Sequence, residues 1–216
     1  MPSRTQSVIR RDINRLKDTI ERHQGTHKSL AAIQAIVASA ADAVNQAWQT
    51  YQANSVAGTK ERQERDQAIQ ALIQWSQRWR PVVLLLVPGA EANIRQLPPT
   101  GATPDDVIRV SEDMVGLINS NPAAEPFRAE AIESLSDKIE SARKETAEAS
   151  AAWPAEAAAR QAYGDTCRAA NDILIRGSEV VRALFGRTSP EYKQFVARRS
   201  ASEEAEIDEE SLVGEQ

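Results

Sequence analysis

Between Ile9 and Tyr51 the chain reads IRRDINRLKDTIERHQGTHKSLAAIQAIVASAADAVNQAWQTY, and one helical period runs through the whole stretch. Seam positions recur at alternating spacings of four and three residues, which places them on one side of a helix. They are Ile9, Ile13, Leu16, Ile20, His23, His27, Leu30, Gln34, Val37, Ala41, Val44, Trp48 and Tyr51. No proline occurs between Ser3 and Ala57, so the pattern predicts a long first helix, continuous or bent at Gly25, and longer than any later one.

The composition outside this stretch also favours helices. The chain has 216 residues, of which 41% are hydrophobic and 26% charged, a balance typical of a globular protein with a continuous core. Aromatic residues make up only 5%, whereas alanine is abundant. Because strands favour β-branched and aromatic residues, we predict an all-α fold.

A second helix is predicted after Ala57-Gly58, with Gly58 ending the first helix and Thr59 as the N-cap. Its seam continues in the same spacing, and Pro81 is expected to kink it. The run Val82–Val87 is apolar on every side, so we expect full burial there. Periodicity does not separate a buried helix from a short buried strand, and both interpretations stay open for this run.

The later part of the chain predicts two further long helices. Pro88-Gly89 and 97–101 form the main irregular zone, and Thr103-Pro104 then supplies an N-cap followed by proline at the first helical position. A joint is expected at Trp153-Pro154. The fold prediction is therefore one domain over 1–196, an up-and-down bundle of four long amphipathic helices. It comprises two hairpins, about 3–97 and 103–196, followed by a disordered acidic tail over 197–216.

The segment from Ala183 to Phe195 reads ALFGRTSPEYKQF, in which a helix ends in an FG turn before Ser-Pro and a final aromatic residue. It resembles the closing segment of a loose group of uncharacterised bacterial all-α bundle proteins. The resemblance covers about a dozen residues; it implies a bacterial origin and a helical architecture and carries no known activity. A helix C-cap followed by an aromatic side chain that packs back onto the bundle is a second interpretation of the same residues.

The two ends of the chain differ in charge, although the net charge is −5. Residues 1–28 carry seven basic and three acidic residues, whereas 200–216 carry seven acidic residues and no base. The basic arm consists of Arg4, Arg10, Arg11, Arg15, Lys17, Arg22 and Lys28. It is a candidate contact for nucleic acid or another anionic surface, and interleaved acidic residues such as Asp18 favour a solvated, ion-paired face instead.

A homo-oligomer, most simply a symmetric dimer, is predicted from the length of the first helix. If this helix extends beyond its neighbours, the apolar seam of Ile9, Ile13, Leu16 and Ile20 is left exposed, and it becomes the candidate self-association surface.

Few residues suggest chemistry. His23 and His27 are four residues apart, a spacing that lets two imidazoles face one metal ion, although no further ligand follows in sequence. The alternative interpretation is a polar interruption of the seam that limits register. Cys167 lies on an apolar stripe and is expected to be a buried core residue, as are the four tryptophans. No phosphate-binding or nucleophile motif occurs, and we expect no catalytic residue and no cofactor.

These features favour a non-enzymatic structural or protein-interaction bundle with an unidentified protein partner. The alternatives are a nucleic-acid or anionic-surface binder that uses the basic arm, and a metal-binding bundle that uses the two histidines. A single cysteine, no secretory leader and no long apolar run lead us to expect a cytoplasmic protein that does not span a membrane.

Overall fold

The computed structural model describes residues 5–87, 89–90 and 102–196. These residues form five α-helices and one turn of 3₁₀ helix at Pro122–Ala124, with no strand among them. The helices are α1 (Gln6–His23), α2 (Lys28–Leu86), α3 (Pro104–Ser120), α4 (Glu125–Phe185) and α5 (Pro190–Val196). The all-α prediction is confirmed, whereas the arrangement as four up-and-down helices is not.

The first helix is much shorter than predicted. It has 18 residues, against 59 in α2 and 61 in α4, so the prediction that helix 1 is the longest is wrong. The chain leaves the helix after His23, whose carbonyl oxygen accepts hydrogen bonds from the Thr26 hydroxyl at 2.8 Å and the Thr26 amide at 3.0 Å. Gly25 therefore lies in a turn between two helices and does not merely bend one helix.

The helix break predicted at Gly58 does not occur, because α2 continues through this residue to Leu86. A Cβ atom at Gly58 would lie 2.9 Å from Glu156 Oε2, so the glycine makes room for a neighbouring side chain. Thr59 is not an N-cap, since its hydroxyl donates within the helix to the Ser55 carbonyl at 2.9 Å.

Proline does not end either long helix. α2 continues past Pro81, and α4 continues past Pro154, where a joint was predicted. Both prolines are exposed, and the carbonyl groups that lose their helical donor belong to Gln77 and Ser150, which are exposed residues as well.

The run Val82–Val87 is helical up to Leu86, which excludes the strand interpretation. The expectation of full burial there is wrong. Val83 and Val87 are buried, whereas 83% of Leu85 is exposed, because a helix directs successive side chains to different sides.

The chain divides into two compact units. Unit 1 comprises the described residues up to Tyr51 and from Ala159 onward, and unit 2 comprises 52–158. Each predicted hairpin is one continuous segment of the chain. Each compact unit instead combines a segment of the first predicted hairpin with a segment of the second. The predicted acidic tail at 197–216 and most of the predicted irregular zone before Thr103 lie outside the described residues.

Each unit has its own apolar core. In unit 1 the core is formed by α1, the first part of α2, the last part of α4 and α5; its largest members include Ile13, Leu16, Ile20, Leu30, Val37, Val44, Tyr163, Leu174 and Phe195. In unit 2 it is formed mainly by the rest of α2 and α4 together with α3; its members include Leu72, Trp75, Trp79, Val83, Met114, Ile118, Phe127 and Leu135.

The start of α3 follows the sequence prediction closely. Thr103 is the N-cap, and its hydroxyl oxygen accepts a hydrogen bond from the Asp106 amide at 3.2 Å. The Asp106 carboxylate in turn accepts from the Thr103 amide at 3.3 Å, which completes a capping box.

Candidate interaction surface

The predicted self-association seam lies inside unit 1. Ile13, Leu16 and Ile20 are fully buried and Ile9 is 5% exposed, all in one core with residues of α4 and α5. Leu16 lies so close to Gly177 that a Cβ atom there would be 2.5 Å from Leu16 Cδ2. The expectation that this seam is exposed is wrong, because the chain itself covers it.

Half of the described basic arm is bound to acidic residues of the same chain; Arg4 lies outside the described residues. Arg11 and Arg15 approach the buried Asp12 carboxylate at 3.2 and 3.7 Å. Lys17 Nζ lies 2.9 Å from Asp42 Oδ1, and this hydrogen bond raises the pKa of Lys17.

The other three described residues of the basic arm differ in their surroundings. Arg10 places its guanidinium over the Trp48 ring, 4.5 Å from the ring centre, where the negative face of the indole attracts it. Arg22 and Lys28 are exposed. The arm therefore offers phosphate groups far fewer unpaired cations than its sequence indicates.

The two histidines are brought together around an aromatic ring. His23 and His27 contact Phe185 edge-on, with ring centres 4.9 and 5.0 Å apart. His23 Nε2 lies 4.0 Å from Glu191 Oε1. Within the described ranges neither histidine belongs to a group of three possible metal ligands.

Three carboxylates meet in unit 2, a grouping that sequence reasoning missed. The oxygens of Glu61, Glu145 and Glu148 lie within 4.8 Å of one another. Lys144 Nζ lies 3.1 Å from Glu145 and 3.4 Å from Glu148, so a cation of the chain already offsets part of their charge. No spacing in the sequence relates Glu61 to the other two, because the pairing of α2 with α4 brings them together.

Cys167 is held in a form that opposes nucleophilic chemistry. It is fully buried, and its Sγ lies 3.8 Å from the Gln6 carbonyl oxygen, which also accepts a hydrogen bond from the Tyr163 hydroxyl at 3.3 Å. Burial raises the pKa of the Cys167 thiol and the pKa of Tyr163. The thiolate is the reactive form of cysteine, and this environment favours the neutral thiol, so Cys167 suits the role of a packed core residue and not that of a nucleophile.

A depression of about 410 Å³ lies between α3 and α4 in unit 2. Two arginines line it, and both have acidic partners: Arg109 pairs with Asp106, and Arg143 pairs with Glu112. The depression therefore offers a ligand no unpaired charge from either arginine.

One part of unit 2 differs from these paired surfaces. Residues 52–59 of α2 and 149–158 of α4 contain a single charged residue, Glu156; we call these residues the uncharged stretch. Glu156 Oε2 lies 3.0 Å from Arg62 Nη1, and only 15% of its side chain is exposed. The one charge in the stretch is thus neutralised and largely covered.

The uncharged stretch carries two large apolar side chains that face water. Trp153 is 68% exposed and Val56 is 71% exposed. The prediction that all four tryptophans are core residues holds for Trp75 and Trp79, which are 5% and 6% exposed, and is wrong for Trp153. Trp153 lies outside the seam that the partly covered Ala152 and Glu156 mark, a position that only the burial along α4 reveals.

Small exposed residues surround Trp153. Ala157 lies one turn further along α4 and is also exposed, so the two residues share one face of the helix. Ser150 lies one turn earlier and is exposed on the same face, whereas the exposed Ala151, Ala155 and Ala158 point to other sides of the helix. The result is a flat aromatic group between two small side chains that face water.

Two observations bear on the class of protein. In the part of the chain that the structure describes, no helix is long and apolar enough to cross a membrane. No protein-family model matches the chain, and neither does any curated protein or solved structure.

Proposed function

We propose that the chain is a non-enzymatic, cytoplasmic helical protein that acts through protein–protein contact at the uncharged stretch of unit 2. The observation that carries the proposal is the exposed indole of Trp153 in a stretch whose only charge is neutralised. Contiguous exposed apolar patches mark interaction sites in water-soluble proteins, and tryptophan is enriched among the residues that contribute most to binding.

The hydrophobic free energy available at Trp153 is large enough to matter. A buried aromatic side chain removes about 150–250 Å² from water. With 68% of the residue exposed, roughly 100–170 Å² remains to be buried, about 3–4 kcal/mol at ~25 cal/mol per Å². Folding of the chain leaves this contribution unused, and a partner that covers the indole would gain it.

The alternative functions draw less support. An anionic-surface binder needs unpaired cations, whereas Lys17, Arg11 and Arg15 are paired and Arg10 lies on Trp48. A metal-binding bundle needs further ligands near His23 and His27, and the described residues provide no group of three there.

The proposal is tested by a photoreactive amino acid placed at position 153 of the full chain, in the cells that normally produce it. We expect ultraviolet light to yield covalent adducts with a discrete polypeptide. The matched control replaces Asp137, an exposed and charged position on the same helix, and should yield none. Absence of adducts at position 153, or equal adducts at both positions, would contradict the proposal.

A further inference from the structure

We infer that two copies of this chain exchange α1: the turn at 24–27 straightens, α1 and α2 become one continuous helix, and each α1 occupies the α1 site in unit 1 of the other copy. The inference goes beyond the function proposed for the uncharged stretch and does not depend on it. Three observations support it. The helical phase continues through the turn, the turn is close to helical, and the α1 site fits α1 by specific contacts.

The spacing of the sequence continues through the turn without a change of phase. The apolar seam of α1 ends with Ile20 and His23, and that of α2 begins with His27 and Leu30, in the same alternation of three and four residues. A second row, on the side of α1 that contacts α2, continues in the same way. Its members are Arg10, Asn14, Lys17, Glu21, Gln24, Lys28, Ala31, Ala35, Ala38, Asp42 and Asn45. A hairpin requires no common phase on the two sides of its turn, whereas a continuous helix does.

The backbone of the turn is already close to that of a helix. Gln24 has φ of −60° and ψ of −30°, and its amide donates to the Ile20 carbonyl oxygen at 2.8 Å. The His27 amide donates to the His23 carbonyl oxygen at 3.1 Å. Both hydrogen bonds join residues four apart, as in an α-helix. None of the described residues 24–27 has a positive φ, so straightening the turn requires no residue to leave a left-handed conformation.

The site that α1 occupies fits α1 by specific contacts, and this identifies a second copy of the chain as the partner. The Asn14 and Asn45 side chains exchange two hydrogen bonds, of 3.1 and 2.9 Å. Lys17 Nζ lies 2.9 Å from Asp42 Oδ1. On the apolar side of α1, Leu16 is fully buried in the core of unit 1. The exchange of α1 preserves all of these contacts and makes them between two chains.

The same contacts define the symmetry of the exchanged dimer. The midpoint along the chain of each polar pair between α1 and α2 lies between Ser29 and Leu30, so the two-fold axis passes there. The exposed Ala31 and Ala35 lie beside this axis, where small side chains let the two helices approach closely. Lys28 is exposed and also lies near the axis, so repulsion between the two Lys28 side chains opposes the exchange at low salt.

Burial of α1 makes the exchange slow in the folded chain. Ile13, Leu16 and Ile20 are fully buried, and all three must leave the core before α1 can move to another copy. The choice between the two forms is therefore made while the chain folds, and it depends on concentration. We expect a dilute chain to fold as a monomer and a concentrated chain to fold in part as the exchanged dimer.

The first experiment refolds the full chain from urea at about 5 μM and about 500 μM and measures mass by size-exclusion chromatography with light scattering. Only the concentrated sample should contain dimer. Lys28→Pro should remove the dimer and keep the monomer, because Lys28 is the first residue of α2 but lies within the helix after exchange. Proline there disfavours the exchanged form roughly a hundredfold per chain. Lys28→Ala, the matched control, removes the same charge and should form at least as much dimer as the unaltered chain. Absence of dimer at both concentrations, or equal dimer in the two variants, would overturn the inference.

A second variant should shift the balance in the opposite direction, and it does not depend on the folding of Lys28→Pro. Gly25→Ala combined with Thr26→Ala removes the 2.8 Å hydrogen bond from the Thr26 hydroxyl to the His23 carbonyl oxygen, which holds the turn. A Cβ atom at Gly25 would meet nothing within 4 Å, and alanine favours the continuous helix. The association constant should rise at least tenfold. An unchanged or lower constant would contradict the inference.

The third experiment identifies the chain that supplies α1. Equal amounts of unlabelled and ¹⁵N-labelled chain are mixed in urea, refolded at about 500 μM and treated with a carbodiimide, which joins Lys17 directly to Asp42. In the dimer fraction about half of these crosslinks should join a labelled to an unlabelled peptide, whereas in the monomer fraction both peptides should carry the same label. Crosslinks of a single label in the dimer fraction would show that the copies associate through another surface, and would refute the exchange of α1.

Discussion

Gly177 gives the sharpest test of how unit 1 is packed. A Cβ atom there would lie 2.5 Å from Cδ2 of Leu16, which is fully buried. Gly177→Ala gains about 1 kcal/mol in helix propensity. It also forces the Leu16 side chain to move inside a filled core, which costs about 1–3 kcal/mol. We expect a net destabilisation of about 1 kcal/mol.

The same substitution should change sign when Leu16 is truncated. Leu16→Ala alone is expected to cost about 2–5 kcal/mol, because it leaves a cavity in the core. In that background the new methyl group of Gly177→Ala meets space, and the propensity gain of about 1 kcal/mol is no longer opposed. The coupling between the two positions should then be about 1–3 kcal/mol, typical of residues in contact.

Urea unfolding followed by far-UV circular dichroism on the four chains of this cycle measures the effect. Gly116→Ala is the control, because Gly116 lies within α3 and a Cβ atom there would meet nothing within 4 Å. It should stabilise the chain by up to about 1 kcal/mol. If Gly177→Ala has the same sign with and without Leu16, the close contact between α1 and α4 is refuted.

Three further predictions concern the folded chain. Thr103→Ala should destabilise α3 by about 1 kcal/mol by removing the N-cap. The Thr103 hydrogen bonds lower the pKa of Asp106 in the folded chain. The stability that the Asp106 carboxylate contributes is therefore present above its unfolded pKa of about 4 and is lost as the pH falls through its folded pKa. Acid unfolding curves of Thr103→Ala should show a smaller loss of stability over this pH range. Cys167 should react with Ellman's reagent only after urea unfolding, because burial both shields the thiol and raises its pKa. Ile13→Asp combined with Leu16→Asp should unfold unit 1, with a large loss of ellipticity, whereas an unchanged spectrum would contradict their burial.

The sequence was sufficient to predict the secondary structure class and many buried positions. The seam from Ile9 to Ile20 is buried as its spacing predicts, because an apolar stripe on a helix must be covered. It did not reveal what covers the stripe. The spacing is equally compatible with burial of the stripe against a second copy and with burial against α4 of the same chain. Only the tertiary contacts with residues such as Leu174 distinguish these two possibilities.

Glycine and proline account for most of the wrong helix boundaries. Gly25 lies in a turn, Gly58 lies against a side chain within a helix, and Gly186 ends a helix with φ of 87°. One residue type serves three purposes, and the choice depends on neighbours that are distant in sequence. Pro154 likewise does not end its helix, and Ser150, whose carbonyl group loses its helical donor there, is an exposed residue.

The segment that resembles the ending of bacterial bundle proteins has a local physical explanation. Gly186 takes a positive φ at the end of α4, and the Ser189 hydroxyl oxygen accepts a hydrogen bond from the Tyr192 amide at 3.2 Å. Phe195 then packs into the core of unit 1 with 5% exposure. This agrees with the interpretation as a C-cap followed by an aromatic residue that packs back, and the bacterial origin stays a prediction.

The requirements of folding do not explain the exposed position of Trp153. Trp75 and Trp79 lie on a seam and are buried, whereas Trp153 lies outside the α4 seam and faces water. An exposed side chain contributes little to stability, so Trp153→Ala should change the free energy of unfolding by no more than about 0.5 kcal/mol. The same substitution should weaken binding of the partner proposed for the uncharged stretch at least tenfold, or about 1.4 kcal/mol. Stability and association are thus separable at one position, as expected where a residue contributes to function and not to the fold. A variant that loses both stability and partner binding would show that Trp153 belongs to the folded core and does not form an interaction surface.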